Sequence, residues 1–367
     1  MFATLIGTGR PLGLLLLVLF LAGGCGEGKK EEESARGGAE PPPADSLWMV
    51  GEVHLRNVRQ LTFGGENAEA YFSPDGRQLV LQSTHGDDEC DQIYRMPVEG
   101  GDLVRVNDGR GRSTCAYFLP DGESILYATT GLTDPDCPPP PDFSQGYVWA
   151  LYPGYDIVVK SDGGEVTPLT ETPGYDAEAT VSPRGDRIVF TSVRSGDLEL
   201  YSMNLDGSGV KRLTHEPGYD GGAFYSPDGS EIVYRAWHPR DSQDLIDYRQ
   251  LLDRALIRPG VLNLYVMNAD GTDRRLVLEN GAANFAPYFF PDGERIIFAS
   301  NLGDPGGRNF DLFMIGKEGT GLERVTTNET FDGFPMFSPD GRYLVFASNR
   351  NNQSPHDTNV FIAEWME

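Results

Sequence analysis

The phrase "FSPDGRYLVFASNR" at residues 337–350 recurs as "VSPRGDRIVFTSVR" near residue 190 and as "FSPDGRQLVLQSTH" near residue 75. Anchored on its proline, the unit occurs six times, at Pro74, Pro120, Pro183, Pro227, Pro291 and Pro339. Successive anchors are 46, 63, 44, 64 and 48 residues apart. A unit of this length cannot bury its own apolar faces, so the copies must cover one another. The three short spacings are close to the length of about 45 residues typical of a four-stranded propeller blade. The two long ones each carry an insertion, near residues 131–156 and 240–260.

The interior of a unit fits that reading. "RIVFTS" at 187–192 is a short strand after a turn, and "LELYSMN" at 198–204 alternates apolar and polar residues as a half-buried strand does. "LDGSG" supplies a tight turn, and "VKRLT" at 210–214 is an outer strand. The chain ends on "NVFIAEW" at 359–365, a third strand without a fourth, and its first repeat-like piece, "VRQLTF" at 58–63, is a fourth strand without the other three. Pairing them closes a ring and removes its exposed edges. The expected fold is an all-β, six-bladed propeller of four-stranded antiparallel blades over residues 47–367, with one short helical insertion.

"SPDG" followed by "IVFxS" and "LYxMNxDG" resembles the WD-like repeats of the TolB-like propellers and the propeller domains of prolyl peptidases. The resemblance covers residues 56–367 and implies a fold more firmly than a function, because propellers host many activities. TolB proteins carry an additional α/β domain at the N-terminus, with no counterpart in the residues ahead of the repeats here. Neither a Gly-x-Ser-x-Gly elbow, nor His-Glu-x-x-His, nor a phosphate-binding Gly-Lys loop is found, so a hydrolase built on those motifs is not expected.

Residues 1–25 read as a signal peptide: Arg10, an apolar run over 12–22, then small residues before Cys25. The Cys after "LAGG" resembles the bacterial lipoprotein box, which implies lipidation of Cys25; Gly26 behind it resembles the pattern sorted to the outer membrane. Residues 26–46 lack large apolar side chains and read as a disordered tether. The expected location is the periplasmic face of the outer membrane in a Gram-negative host, held there by the lipid anchor alone. With 30 Lys and Arg against 55 Asp and Glu the net charge is −25, which repels phosphate backbones and excludes nucleic acid as a partner. A monomer is expected.

Seven residues before each anchor stand Asn67, Ser113, Asp176, Asp220, Asn284 and Asp332, all small and oxygen-bearing. In a propeller this point lies at the mouth of the central channel. The six are expected to form a polar collar for a cation or an amine, with calcium, if any, on Asp176, Asp220 and Asp332; capping of their own turns is the competing reading. Two positions further on stand Glu69, Cys115, Glu178, Gly222, Ala286 and Phe334; Glu69 and Glu178 either add charge to the channel or, the favoured reading, are solvated wall residues.

Both insertions follow a second strand and emerge on the face of that collar. The first carries four prolines and then Phe143, Tyr147, Trp149, Tyr152 and Tyr155; Tyr147, Trp149 and Tyr152 are its candidate ligand-gripping residues. The second reads as a helix capped by Asp241 or Ser242, with Leu245, Leu252 and Leu256 on one face and a stop at Pro259-Gly260. Cys90 and Cys137 lie in loops of adjacent blades and are the favoured disulfide, with Cys115 as a competing partner. None of the five histidines (His54, His85, His215, His238 and His356) stands at a metal-ligand spacing from another.

The expected function is non-catalytic binding of a protein or peptidoglycan-associated partner in the cell envelope through the insertion-bearing face and channel mouth. A polysaccharide lyase or hydrolase is the enzymatic alternative, with Asp176, Glu178, Asp220 and Asp332 as acid–base candidates. Similar repeats occur in oligogalacturonate lyases, which hold a metal with His and Gln. A mainly structural scaffold is the third reading.

Overall fold

Six four-stranded antiparallel sheets, five of them in simple sequential order, are arranged as the blades of a propeller in the computed structural model, which describes residues 47–144, 146–304, 307 and 309–367. The expected signal peptide, Cys25 and the expected tether lie outside the described residues. The innermost strands are Glu66–Phe72, Ser113–Phe118, Asp176–Val181, Tyr219–Tyr225, Asn284–Phe289 and Asp332–Phe337. The sixth blade closes as the sequence requires: Leu55–Gln60 pairs with Asn359–Trp365, and Leu55 stands opposite Trp365.

The second strands carry the core. Leu79, Val80 and Leu81, Ile188, Val189 and Phe190, and Leu344, Val345 and Phe346 are all fully buried between blades. Each such side chain contributes roughly 1.5–3 kcal/mol on leaving water, which is why uninterrupted apolar runs recur at this position. The repeated Ser-Pro-Asp-Gly segment is the turn before it. Ser73 donates to Asp75, whose carboxylate also accepts the Arg77 amide, and Gly76 adopts the φ of +70° that the turn demands. Serine hydroxyls foremost, with a backbone amide and, at Asp340, the Arg342 side chain, pull the equivalent Asp228 and Asp340 carboxyls down to about 2. The aspartates of this phrase are thus occupied in making the turn.

Every innermost strand slips register against the second strand, between Ala68 and Tyr71 in the first blade and between Gly333 and Met336 in the last. Inside each slip sits one residue with positive φ: Glu69 (52°), Cys115 (53°), Glu178 (55°), Gly222 (58°), Ala286 (49°) and Phe334 (53°). Five of the six are not glycine, at a cost of roughly 1–2 kcal/mol each. A bulge re-aims its side chain, and here it does so six times around one axis.

The two insertions meet. Trp149–Ala150 from the first pairs antiparallel with Leu256–Ile257 from the second, and the Leu151 amide donates to Ala255. The helix Ser242–Leu252 is capped by Asp241, whose side chain accepts from the Gln243 and Asp244 amides. It ends at Asp253, short of the expected stop at Pro259-Gly260, because Leu256 and Ile257 are taken into the two-stranded ribbon. Tyr248 is the helix residue that is buried; Leu245 and Leu252 are half-buried, and Leu256 lies beyond the helix. Cys90 and Cys137 form a disulfide with their Cα atoms 5.9 Å apart, and Cys115 is free.

Candidate binding site at the channel mouth

Six small oxygen-bearing residues begin the innermost strands, and the structure turns them into the blades. None of Asn67, Ser113, Asp176, Asp220, Asn284 and Asp332 exposes more than 1 % of its surface. Asn67 accepts from Ser83 Oγ (2.8 Å), Ser113 donates to Thr129 (2.9 Å) and Asn284 accepts from Ser300 (2.7 Å). The three acids each hold a cation-capable side chain from the loop after the second strand. Arg194 donates to Asp176 at 2.8 Å, Arg350 donates to Asp332 at 3.0 Å, and His238 Nε2 lies 3.1 Å from Asp220. The expected collar around the axis is therefore corrected: these side chains tie the first strand to the second. Among the described residues no group of three or more His, Cys, Asp or Glu could hold a metal ion. Asp176, Asp220 and Asp332 stand in separate blades, each with its own partner, so a shared calcium does not fit them.

Arg350 does more than hold Asp332. It is fully buried and also donates to Glu52 (2.9 and 3.1 Å) and to the Leu47 carbonyl (3.0 Å). The chain ahead of the first closing strand is thereby fastened next to the start of the sixth innermost strand, on the insertion-bearing face.

The channel itself is lined two residues further on, by the bulge residues. Glu69, Cys115, Glu178, Gly222, Ala286 and Phe334 surround one cavity, with Tyr71, Phe224 and Arg235. The space between them is about 30 Å³, room for one or two waters. Below lies a layer of rings: Tyr71 packs on Tyr117 (5.6 Å) and Phe224 (5.5 Å), and Phe224 on Tyr288 (5.4 Å). These come from the position two residues after the bulge in four blades and form an aromatic floor.

The lining is divided. Blades one to four supply polar groups, and blades five and six supply Ala286 and Phe334. Arg235 reaches the cavity from a second strand because Gly222 leaves a gap there; a Cβ at residue 222 would collide with its guanidinium. Arg235 pairs with Glu178 and donates to Tyr219 Oη (2.8 Å). Glu178 also accepts from Thr191 (2.7 Å) and the Gly222 amide (3.0 Å). Glu178 is thus an engaged ion-pair member, contrary to its reading as a solvated wall residue. Glu69 has no such cation. Burial pushes its carboxyl up to about 7, against the Cys115 thiol that hydrogen-bonds to it and with the Glu178 charge adding to the rise. Burial, then the Glu69 and Glu178 charges, push the Cys115 thiol well above its usual value, so it stays protonated.

The insertions are connected to this cavity. Trp149 stacks on the Arg235 guanidinium (5.2 Å) and meets Tyr219 edge-on (6.4 Å), while its Nε1 donates to Tyr147 Oη (3.0 Å). Tyr152 donates to the Pro139 carbonyl (3.0 Å) and lies under Arg112. Of the three aromatic candidates, Trp149 stands over the channel, Tyr147 is exposed beside it, and Tyr152 braces the proline segment. Sequence reasoning missed Arg235, whose only local signal is an arginine inside an apolar strand, "IVYRAW".

No protein-family model matches the chain. An uncharacterised protein of Agrobacterium fabrum is 26 % identical over 121 residues, covering 33 % of this chain and 34 % of that protein. The chain thus matches about a third of the length of that curated relative. Among solved structures, a protein assigned as TolB from Agrobacterium tumefaciens superposes with a TM-score of 0.52 at 19 % identity, covering 83 % of this chain and 91 % of the other. TolB from Acinetobacter baumannii gives 0.52 at 18 %, covering 82 % of this chain and 64 % of that one. An oligogalacturonate lyase in complex with manganese gives 0.50 at 13 %, covering 84 % and 93 %. At these identities the likeness establishes the fold alone, a six-bladed propeller of the kind seen in the TolB structures.

Proposed function

We propose that this TolB-like propeller is an exported, lipid-anchored binding protein that engages a protein partner in the cell envelope through its insertion-bearing face and channel mouth, without catalysis. The observation that carries the reading is the ribbon between Trp149–Ala150 and Leu256–Ile257. Insertions from two different blades build one surface, and its Trp149 rests on a channel residue. Blades need no such ribbon to pack, so a feature spanning them points to a job on that face. The exposed Tyr147 and the exposed Ile246 of the helix offer the kind of aromatic and apolar contacts that anchor interfaces. The solved TolB structures support an envelope role by fold analogy, and the leader with Cys25 supports export and lipidation.

Enzymatic readings lose their acid–base candidates to structural partners, since Asp176, Asp220, Asp332 and Glu178 are all paired. The test is capture of a cross-linked partner from intact cells by the wild type and by a Tyr147→Ala/Ile246→Asp variant. The expected result is a discrete adduct that the variant reduces at least tenfold, in a membrane fraction that incorporates labelled fatty acid at Cys25. An adduct unchanged by the variant would overturn the assignment of this face.

A further inference from the structure

The charges around the cavity do not cancel. Glu178 is matched by Arg235, whose guanidinium is stacked under Trp149 and bonded to Tyr219, leaving it no freedom to take a ligand anion. Glu69 faces the same space with only a neutral thiol beside it. The groups turned toward it are Glu178, Arg235, Cys115 and Tyr71, with Asp91 further away, and their formal charges sum to an excess of negative charge. A carboxylate in such a place recruits a cation or gives up its charge. The opposite wall is apolar: Ala286 and Phe334, the latter edge-on to Phe285 (5.4 Å) and near Phe331 (6.1 Å). A bare metal ion finds too few ligands here. The passage between these residues is narrow, with about 30 Å³ open to the centres of water-sized groups, which suits a slender chain.

We propose that the channel mouth receives a primary ammonium carried on a slender apolar stem, with Glu69 as its counter-ion and Phe334 and Ala286 against the stem. A lysine side chain of a partner and a free alkylamine share this chemistry. The ammonium takes the place of channel water, its charge meets Glu69, and its methylenes lie on the apolar half of the mouth. The division of the lining into a polar and an apolar half then has a purpose. This inference rests on the proposed binding role of the same face and narrows it to a recognised group.

The experiment titrates the purified protein with n-butylammonium, with n-butanol and butyrate as controls, following calorimetric heat and the change in tryptophan fluorescence that a Trp149→Phe variant loses. Butylammonium is expected to bind at least tenfold more tightly than either control, and Glu69→Gln to remove that preference. Because Glu69 ionises near pH 7, affinity should rise roughly tenfold between pH 6 and pH 8 in the wild type, a readout that needs no variant. Equal binding of butanol and butylammonium, or an affinity flat in pH, would overturn the proposal. A second arm compares a peptide bearing one lysine with the same peptide bearing norleucine. A lysyl peptide that outbinds butylammonium identifies a polypeptide source, and one that does not identifies a free amine. Partner capture that persists without amine binding rejects this inference alone; amine binding without partner capture rejects the wider reading alone.

Discussion

Two rings of six residues lie two positions apart on the same strands, and they differ in almost every respect. The outer ring, from Asn67 to Asp332, is uniform in chemistry and wholly buried. The inner ring, from Glu69 to Phe334, ranges from carboxylate through thiol and glycine to phenyl, while its backbone is the same in all six blades. Uniform chemistry with paired side chains marks the frame: each copy solves the same problem of joining first strand to second. Uniform backbone with varied chemistry marks the place where a repeat protein writes something particular. In a repeated fold, the position to suspect of function is the one where the copies share a conformation and disagree about the residue.

Removing Arg350 should break the frame most severely. Arg350→Ala leaves Asp332 and Glu52 buried without their cation, and a loss of about 3–5 kcal/mol is expected in urea unfolding. A smaller loss would mean that water reaches the pair.

The frame has an internal rule that can be tested separately. Wherever the outer ring is acidic, the loop position after the second strand carries Arg or His; where it is Asn284, that position is Leu302. The loop backbone is alike in the two cases, since the amides of Arg194, Arg350 and Leu302 all donate to the serine two residues before them. Asn284→Asp should therefore cost about 1–3 kcal/mol, and Leu302→Arg on top of it should recover most of the loss, as read in a double-mutant cycle. Additive effects would sink the rule.

The inner ring should respond mainly to pH. Glu69 has a folded value of about 7 against an ordinary 4.5, so it favours the folded state most below about pH 4.5. That contribution disappears as pH rises through about 7. The difference in unfolding free energy between wild type and Glu69→Gln should thus shift by up to about 3 kcal/mol across this window, in the direction of a relatively weaker wild type at high pH. A difference that does not change with pH would show Glu69 to be solvated.

The blades, their number, the closing pair and the helix cap were legible because each is set by local pattern or by counting. The disulfide was legible only as a preference, since loop positions do not give distances. The six lining positions could be found by counting, but not that they, rather than the ring from Asn67 to Asp332, face the channel, for a definite reason. Residues two apart on a regular strand share a face, so Asn67 and Glu69 would point the same way. The bulge breaks that alternation, and five of the six residues inside it carry no glycine to announce a positive φ. The ribbon between the insertions was equally silent. Two residues such as Leu256 and Ile257 have no strand signature of their own, and their partners at Trp149 and Ala150 stand more than a hundred positions earlier.

The pairing of Leu55 with Trp365 also sets a schedule. The first described strand of the chain is the last to find its place, because its neighbour is made after the strands of all the other blades. Until then blade six lacks its outer strand, and Asn359–Trp365 carries an open edge. A chain emerging from a ribosome therefore remains an unfinished arc until Asn359–Trp365 has been made. Loop closure of this length is slow, and the wait is one during which the open edge remains available to other strands.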